Sequence, residues 1–185
     1  MAPLPSSLAA LVSSLPEPDP LWFVRPSGED AARTIHGVSH TVRVMIHAAE
    51  IAVTERVSDR ERETAVLAAL WHDIGRTHDG VDYYHGAKSA GKVVGLGLHA
   101  GLPPDQVEVA LHAVTHHSGD EGHAERAASW LADRDAAHRV FLILKDADGL
   151  DRVRLGDGDL DVSYLRLRGS RSRVERAWEL LRLVT

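Results

Sequence analysis

Apolar residues recur at three- and four-residue spacing along most of this chain, and strict alternation is scarce, so the pattern predicts amphipathic helices with few or no strands. Prolines at 16, 18 and 20 close a short helix expected over 7–15 and lead into an irregular stretch carrying Trp22 and Phe23. A helical pattern begins after Gly28, at Glu29, and Val42, Met45, Ile46, Ala49 and Val53 then share one face. Ser58 followed by Glu61 is a capping-box pair, which opens a helix running through Val66, Leu67 and Leu70 to His72. Residues 75–84 read as a loop. A helix over 85–99 contains Gly91, Gly95 and Gly97, each costing about 1 kcal/mol against alanine, so a close helix approach is expected there. Pro103-Pro104-Asp105 starts another helix that ends at His116-His117-Ser118-Gly119, and further helices are expected over 124–131, 135–150 and 171–184. Gly156-Asp157-Gly158-Asp159 reads as a turn, too short for an EF-hand loop.

Composition narrows this to one domain. With 185 residues, 44% of them hydrophobic, the chain can bury one sizeable core but not two comfortable ones. The net charge of −6 argues against a protein that binds chiefly by neutralising nucleic-acid phosphates, so nucleic acid is not an expected partner. Cysteine is absent, which removes disulfides and thiolate chemistry and fits a cytoplasmic location. No segment is apolar enough to suggest a membrane span, and the N-terminus lacks a basic leader region. Twelve histidines against two phenylalanines is unusual. His47, His99 and His138 stand among ordinary helix residues with no obvious partner, as most lone histidines do.

His72-Asp73, at the end of an apolar helix, is the most informative pair. An imidazole and a carboxylate are costly to bury together unless something binds them, and a divalent metal suits both. Successive helix residues point about 100° apart, so both side chains reach one ion only near a helix end, where the backbone can adjust. His40 and Asp148 would complete a mixed nitrogen and oxygen set suited to manganese, iron, cobalt, nickel or zinc.

At these residues the chain resembles the HD-domain superfamily of metal-dependent phosphohydrolases. The family's order of a histidine, a His-Asp pair and a distant aspartate is matched by His40, His72-Asp73 and Asp148. The neighbouring residues match too: Ile35-His36-Gly37-Val38-Ser39-His40-Thr41-Val42-Arg43-Val44, His72-Asp73-Ile74-Gly75-Arg76 and Ala147-Asp148-Gly149-Leu150. The resemblance covers roughly residues 34–154. It implies an all-α fold, an HD-domain helical bundle with the metal site in its core. Residues 29–185 would form that domain, with 1–28 an N-terminal helix and irregular segment packed on it. Members with two metals add histidines between the pair and the final aspartate, where His85, His116 and His117 lie. One or two divalent ions are therefore expected, with Asp73 as the bridge in the binuclear case. In the mononuclear case His85 caps its helix and contacts substrate, and one of His116 and His117 faces solvent.

Arg43, Arg76, Lys88, Lys145 and Arg152 lie close to these motifs and are candidates for holding a phosphate. Arg76 and Lys88 are the preferred pair for stabilising charge on a phosphoryl group, with Asp73 as the third catalytic candidate. Asp146 is expected either to orient a ligand histidine or to lie on the surface. Two departures from the family bear on substrate. The superfamily's 5′-deoxynucleotidases resemble one another in a glutamate three residues after the motif aspartate, where this chain has Arg76, and the Gly-Tyr-Pro element of another branch is absent after His116-His117. The favoured expectation is hydrolysis of a nucleotide or other small phosphate ester by metal-bound hydroxide. A di-iron oxygenase and a non-catalytic nucleotide-binding module are the alternatives, and a homo-oligomer stays open.

Overall fold

A computed structural model describes residues 4–26, 28, 30, 32 and 34–185. In chain order the helices are α1 (Ser6–Ser14), α2 (Val38–Thr54), α3 (Asp59–Trp71), α4 (His85–Gly95), α5 (Pro104–His116), α6 (Glu121–Ala128), α7 (Arg134–Leu150), α8 (Arg168–Arg171) and α9 (Val174–Leu183). Short 3₁₀ turns occupy Pro20–Phe23, Asp151–Leu155 and Val162–Tyr164. Among the described residues there is no strand, and one isolated bridge joins Val24 to Asp30. The all-α architecture is the one the spacing of apolar residues predicts. No helix among the described residues is long and apolar enough to cross a membrane.

Helix α3 starts where its capping box places it: the Ser58 hydroxyl accepts from the Glu61 amide at 3.2 Å, and the Glu61 carboxylate accepts from the Ser58 amide at 2.9 Å. The start expected at Glu29 lies outside the described residues, and α2 begins only at Val38. Helix α4 ends at Gly95, earlier than expected.

Helices α2, α3, α5 and α7 pack on one another around the core. Their facing surfaces are rich in alanine (Ala48, Ala52, Ala65, Ala68, Ala69, Ala110, Ala113, Ala137 and Ala147, all fully buried), which lets the helix axes come close, while Trp71, Phe141 and Ile51 fill the remaining space. Leu8 of α1 packs with Ile46 of α2 and Leu180 of α9, so the N-terminal helix joins the terminal one across the bundle.

The close approach expected at Gly91, Gly95 and Gly97 is not there, since a Cβ at any of them would meet open space. It occurs at two other glycines. A Cβ on Gly75 would lie 2.2 Å from the Ser89 amide nitrogen, and one on Gly86 would lie 2.5 Å from the Val114 carbonyl. The first contact seats the end of α3 against α4, and the second seats α4 against the end of α5. Three helix ends therefore converge, and each carries a histidine.

Candidate metal centre

His40 stands in the first turn of α2, His72 and Asp73 at the end of α3, His85 at the start of α4, His117 at the end of α5 and Asp148 in the last turn of α7. Helix ends suit this use, because the backbone there can turn consecutive residues inward. His72 caps α3, and both it and Asp73 are buried and face the same cluster.

The atoms sort into two groups around one carboxylate. Oδ2 of Asp73 lies 3.5 Å from Nε2 of His40 and 3.5 Å from Nε2 of His72, with Oδ1 of Asp148 3.5 Å from His40 and 3.9 Å from His72. Oδ1 of Asp73 faces the other way, 3.2 Å from Nε2 of His85 and 3.8 Å from Nε2 of His117. Asp148 is about a third exposed, at 32% of its side chain, and marks the open side of the cluster.

The four rings are anchored alike. Nδ1 of His72 donates to the Ala69 carbonyl (2.7 Å), that of His117 to Val114 (2.7 Å) and that of His85 to Asp82, while Nδ1 of His40 bonds the Asp151 carboxylate (2.7 Å). A carbonyl only accepts, so Nδ1 carries the proton and Nε2 presents a lone pair inward. Yet the Nε2 atoms meet in pairs, 3.0 Å apart for His40 and His72 and 2.9 Å for His85 and His117. Two lone pairs at that distance repel unless a proton or a cation lies between them. Burial, with the neighbouring His72 and His85, pushes His117 down to about 3, so a cation is the better partner for its pair. Two nitrogens each about 2.1 Å from one ion at a right angle would be about 3.0 Å apart, so the spacing fits two ligands of one transition metal. Burial opposes the charged form of Asp73 and Asp148, but the neighbouring His72 and His40 outweigh it and hold both carboxyls well below the usual range, so both oppose the histidines as anions.

Support comes from a layer the sequence reading missed. Asp151 is fully buried, accepts from His40, and takes Nε and Nη2 of the buried Arg43 at 2.6 and 3.0 Å. Its signal in the sequence was a carboxylate one turn beyond Asp148 on the same helix face. Asp146 does neither of the things expected of it: buried in α7, it accepts from the backbone amides of Arg166 and Leu167 and so fixes the segment after the last 3₁₀ turn. Asp79 pairs with His36 at 2.9 Å and with Arg25, closing the 75–84 loop over the cluster's edge; nothing local in the sequence announces these partners.

The expected cations separate. Nε of Arg76 donates to Oδ1 of Asp73 at 3.0 Å and its Nη2 lies 3.4 Å from Nε2 of His85. Lys88 is not brought to the cluster; its exposed ammonium pairs with Asp82 at 2.8 Å. Arg43 is consumed by Asp151. Lys145 and Arg152 line a cleft of about 320 Å³ beside Asp148 and His117, whose wall also holds Tyr164 and Asp159, the latter accepting from Nε of Arg152 through its carbonyl at 3.0 Å. His116 is likewise outside the cluster, and its neighbour His117 is the one turned inward.

The HD domain family matches residues 37–153, and the chain belongs to that family. Neither comparison with curated proteins nor comparison with solved structures gives a match. The superfamily is one of metal-dependent phosphohydrolases, its domains bind divalent metals, and among the described residues there are two buried histidine and aspartate groups able to hold one each: His40, His72 and Asp73, and Asp73, His85 and His117.

Proposed function

We propose that the protein hydrolyses a small phosphate ester, such as a nucleotide, at a centre of two divalent ions. The observation that carries this reading is Asp73, whose two oxygens face two separate histidine pairs beside a cleft holding Lys145 and Arg152. In this reading His40, His72 and Asp148 hold one ion, His85 and His117 the other, and Asp73 is shared. A divalent ion there would neutralise phosphoryl oxygens and make water a stronger acid. Arg76 holds Asp73 in place through Oδ1 and keeps a guanidinium at the cluster's edge, where charge on a phosphoryl group would be met. Lys145 spends two donor directions on the His117 and Gly119 carbonyls, which leaves one N–H for a ligand in the cleft. Arg152 supplies a second cation at the mouth. At about 320 Å³ the cleft is at the small end of ligand pockets, which favours a mononucleotide or sugar phosphate over a polymer.

The test is phosphate release from a panel of nucleoside and sugar phosphates with manganese, cobalt or nickel added. Release that chelator abolishes is expected. Iron-loaded protein that takes up oxygen with substrate, or nucleotide binding with no turnover under any metal, would overturn the proposal. Arg76→Ala should then lower kcat/KM by about 10–100-fold when measured at saturating metal.

A further inference from the structure

Arg154 lies in the 3₁₀ turn after α7 and belongs to none of the motifs. Its side chain crosses to the segment ahead of α2, where Nε donates to the Ile35 carbonyl at 2.8 Å, while Nη1 donates to the Asp151 carbonyl at 3.1 Å. With two nitrogens of a planar guanidinium held, the direction of the third is set. The side chain is 6% exposed, so this is a buried cation.

Its charge is not balanced. Among the described residues the carboxylate within ion-pair reach is that of Asp151, with Nη1 of Arg154 3.7 Å from Oδ2. That carboxylate is already engaged by Nε and Nη2 of Arg43 at 2.6 and 3.0 Å and by Nδ1 of His40 at 2.7 Å. One negative charge against two guanidiniums leaves positive charge in excess, and a buried charge without a counterion is costly. The surplus charge comes with a spare donor. Nη2 of Arg154 has no partner among the described residues, yet it is not sealed from solvent. Arg43 and Arg76 differ, since every nitrogen of their guanidiniums has a contact.

The surplus lies on the His40 side of the centre. Ile35, which Arg154 holds, precedes His36, whose ring stands edge-on to that of His40 with centroids 5.8 Å apart. The charge of Arg154 is felt at His40, His36 and Asp148, and Asp148 marks the open side of the cluster. Arg76 serves the other side, against Oδ1 of Asp73 and His85.

We propose that Arg154 is an anion contact of the site, its Nη2 donating to a phosphoryl oxygen of the bound ester on the His40 side while Arg76 meets the same group from the His85 side. Two guanidiniums approaching from different sides select a group with several charged oxygens, which favours a phosphate monoester over a diester or a carboxylate. The identity of the anion rests on the phosphate-ester reading; the need for one rests on the charge balance around Asp151.

Calorimetric titration of the full chain with inorganic phosphate, at saturating metal, tests this apart from turnover. Wild type should bind phosphate, and Arg154→Gln, which keeps a donor for the Ile35 carbonyl but removes the charge, should bind it about 10–100-fold more weakly with unchanged helicity. Arg154→Ala should bind as weakly and regain part of the affinity when guanidinium is added, a rescue that a merely structural arginine would not show. Lys88→Ala, whose native ammonium pairs with Asp82 away from the cluster, should bind phosphate as wild type does. A wild type that binds no phosphate, wild-type affinity in Arg154→Gln, a loss in Arg154→Ala that guanidinium leaves unrepaired, or equal weakening by Lys88→Ala would each overturn the proposal. Phosphate affinity that depends on Arg154 in a protein that hydrolyses no ester would uphold the anion contact and remove the phosphohydrolase reading instead.

Discussion

His40 and His47 lie on the same helix about two turns apart, and both are sealed from solvent, at 1% and 0% exposure. Their chemistry is opposite. Burial and the charge of Arg154 push His40 down, but hydrogen bonds to Asp151 and Asp73 outweigh them and its pKa ends raised. Burial pushes His47 down to about 4, with Arg173, Arg176 and Arg43 adding to it, and neither of its ring nitrogens has a partner. Burial alone thus makes an inert neutral imidazole. A carboxylate behind one nitrogen and a carboxylate in front of the other make a candidate ligand with a fixed tautomer and a fixed aim.

The comparison breaks most completely if the front carboxylate is removed. Asp73→Ala should lose both ions and all activity while keeping its helicity, because two metals in such a site lie about 3.5–4 Å apart and share this ligand. His85→Ala should lose one ion and keep the other. Metal counting on the three proteins checks both outcomes, and a wild type that saturates at one ion would show that Asp73 serves a single site.

Removing the rear carboxylate should act more mildly and in two ways. Asp151→Asn leaves the buried Arg43 without its ionic partner, so metal-free stability should fall by about 3–5 kcal/mol. It also loosens His40, so metal affinity should drop about 10–100-fold. Chemical denaturation with chelator present, and a metal titration, read the two effects separately. Unchanged affinity would show that Asp151 serves Arg43 alone.

The smallest effect belongs to the histidine with no partners. His47→Leu replaces two unpaired buried nitrogens with a side chain of similar volume and should stabilise the protein by about 1 kcal/mol at pH 7.5. The sign of its pH dependence follows from the depressed pKa. Between pH 6.5 and about 4 the unfolded chain binds the proton that folded His47 refuses, so the wild type loses stability as pH falls through that window and levels off below it. The advantage of the leucine variant should grow by about 3 kcal/mol across the same window, since each pKa unit corresponds to about 1.4 kcal/mol. A constant difference between the two denaturation curves from pH 7.5 to 4 would show that His47 stays solvated in the folded protein.

What the sequence determined by itself was local or ordered along the chain. Helix α3 begins at its capping box because Ser58 and Glu61 satisfy each other within one turn, and α5 begins at a proline that needs no donor. His40, His72-Asp73 and Asp148 were legible because type and order survive in one dimension. Only the tertiary structure chose His117 over its neighbour His116, since which of two adjacent side chains points inward depends on how the helix end is seated, and Gly86 sets that against α4. The same holds for Lys88, drawn to Asp82 rather than to the cluster, and for Asp151, which takes over the orienting role expected of Asp146. The His40 to Asp151 hydrogen bond spans 111 positions, and that of His36 to Asp79 spans 43. Such pairings are fixed by packing of helices that the sequence predicts one at a time, because close contact between them depends on glycines and alanines whose small size matters only once a partner backbone is there.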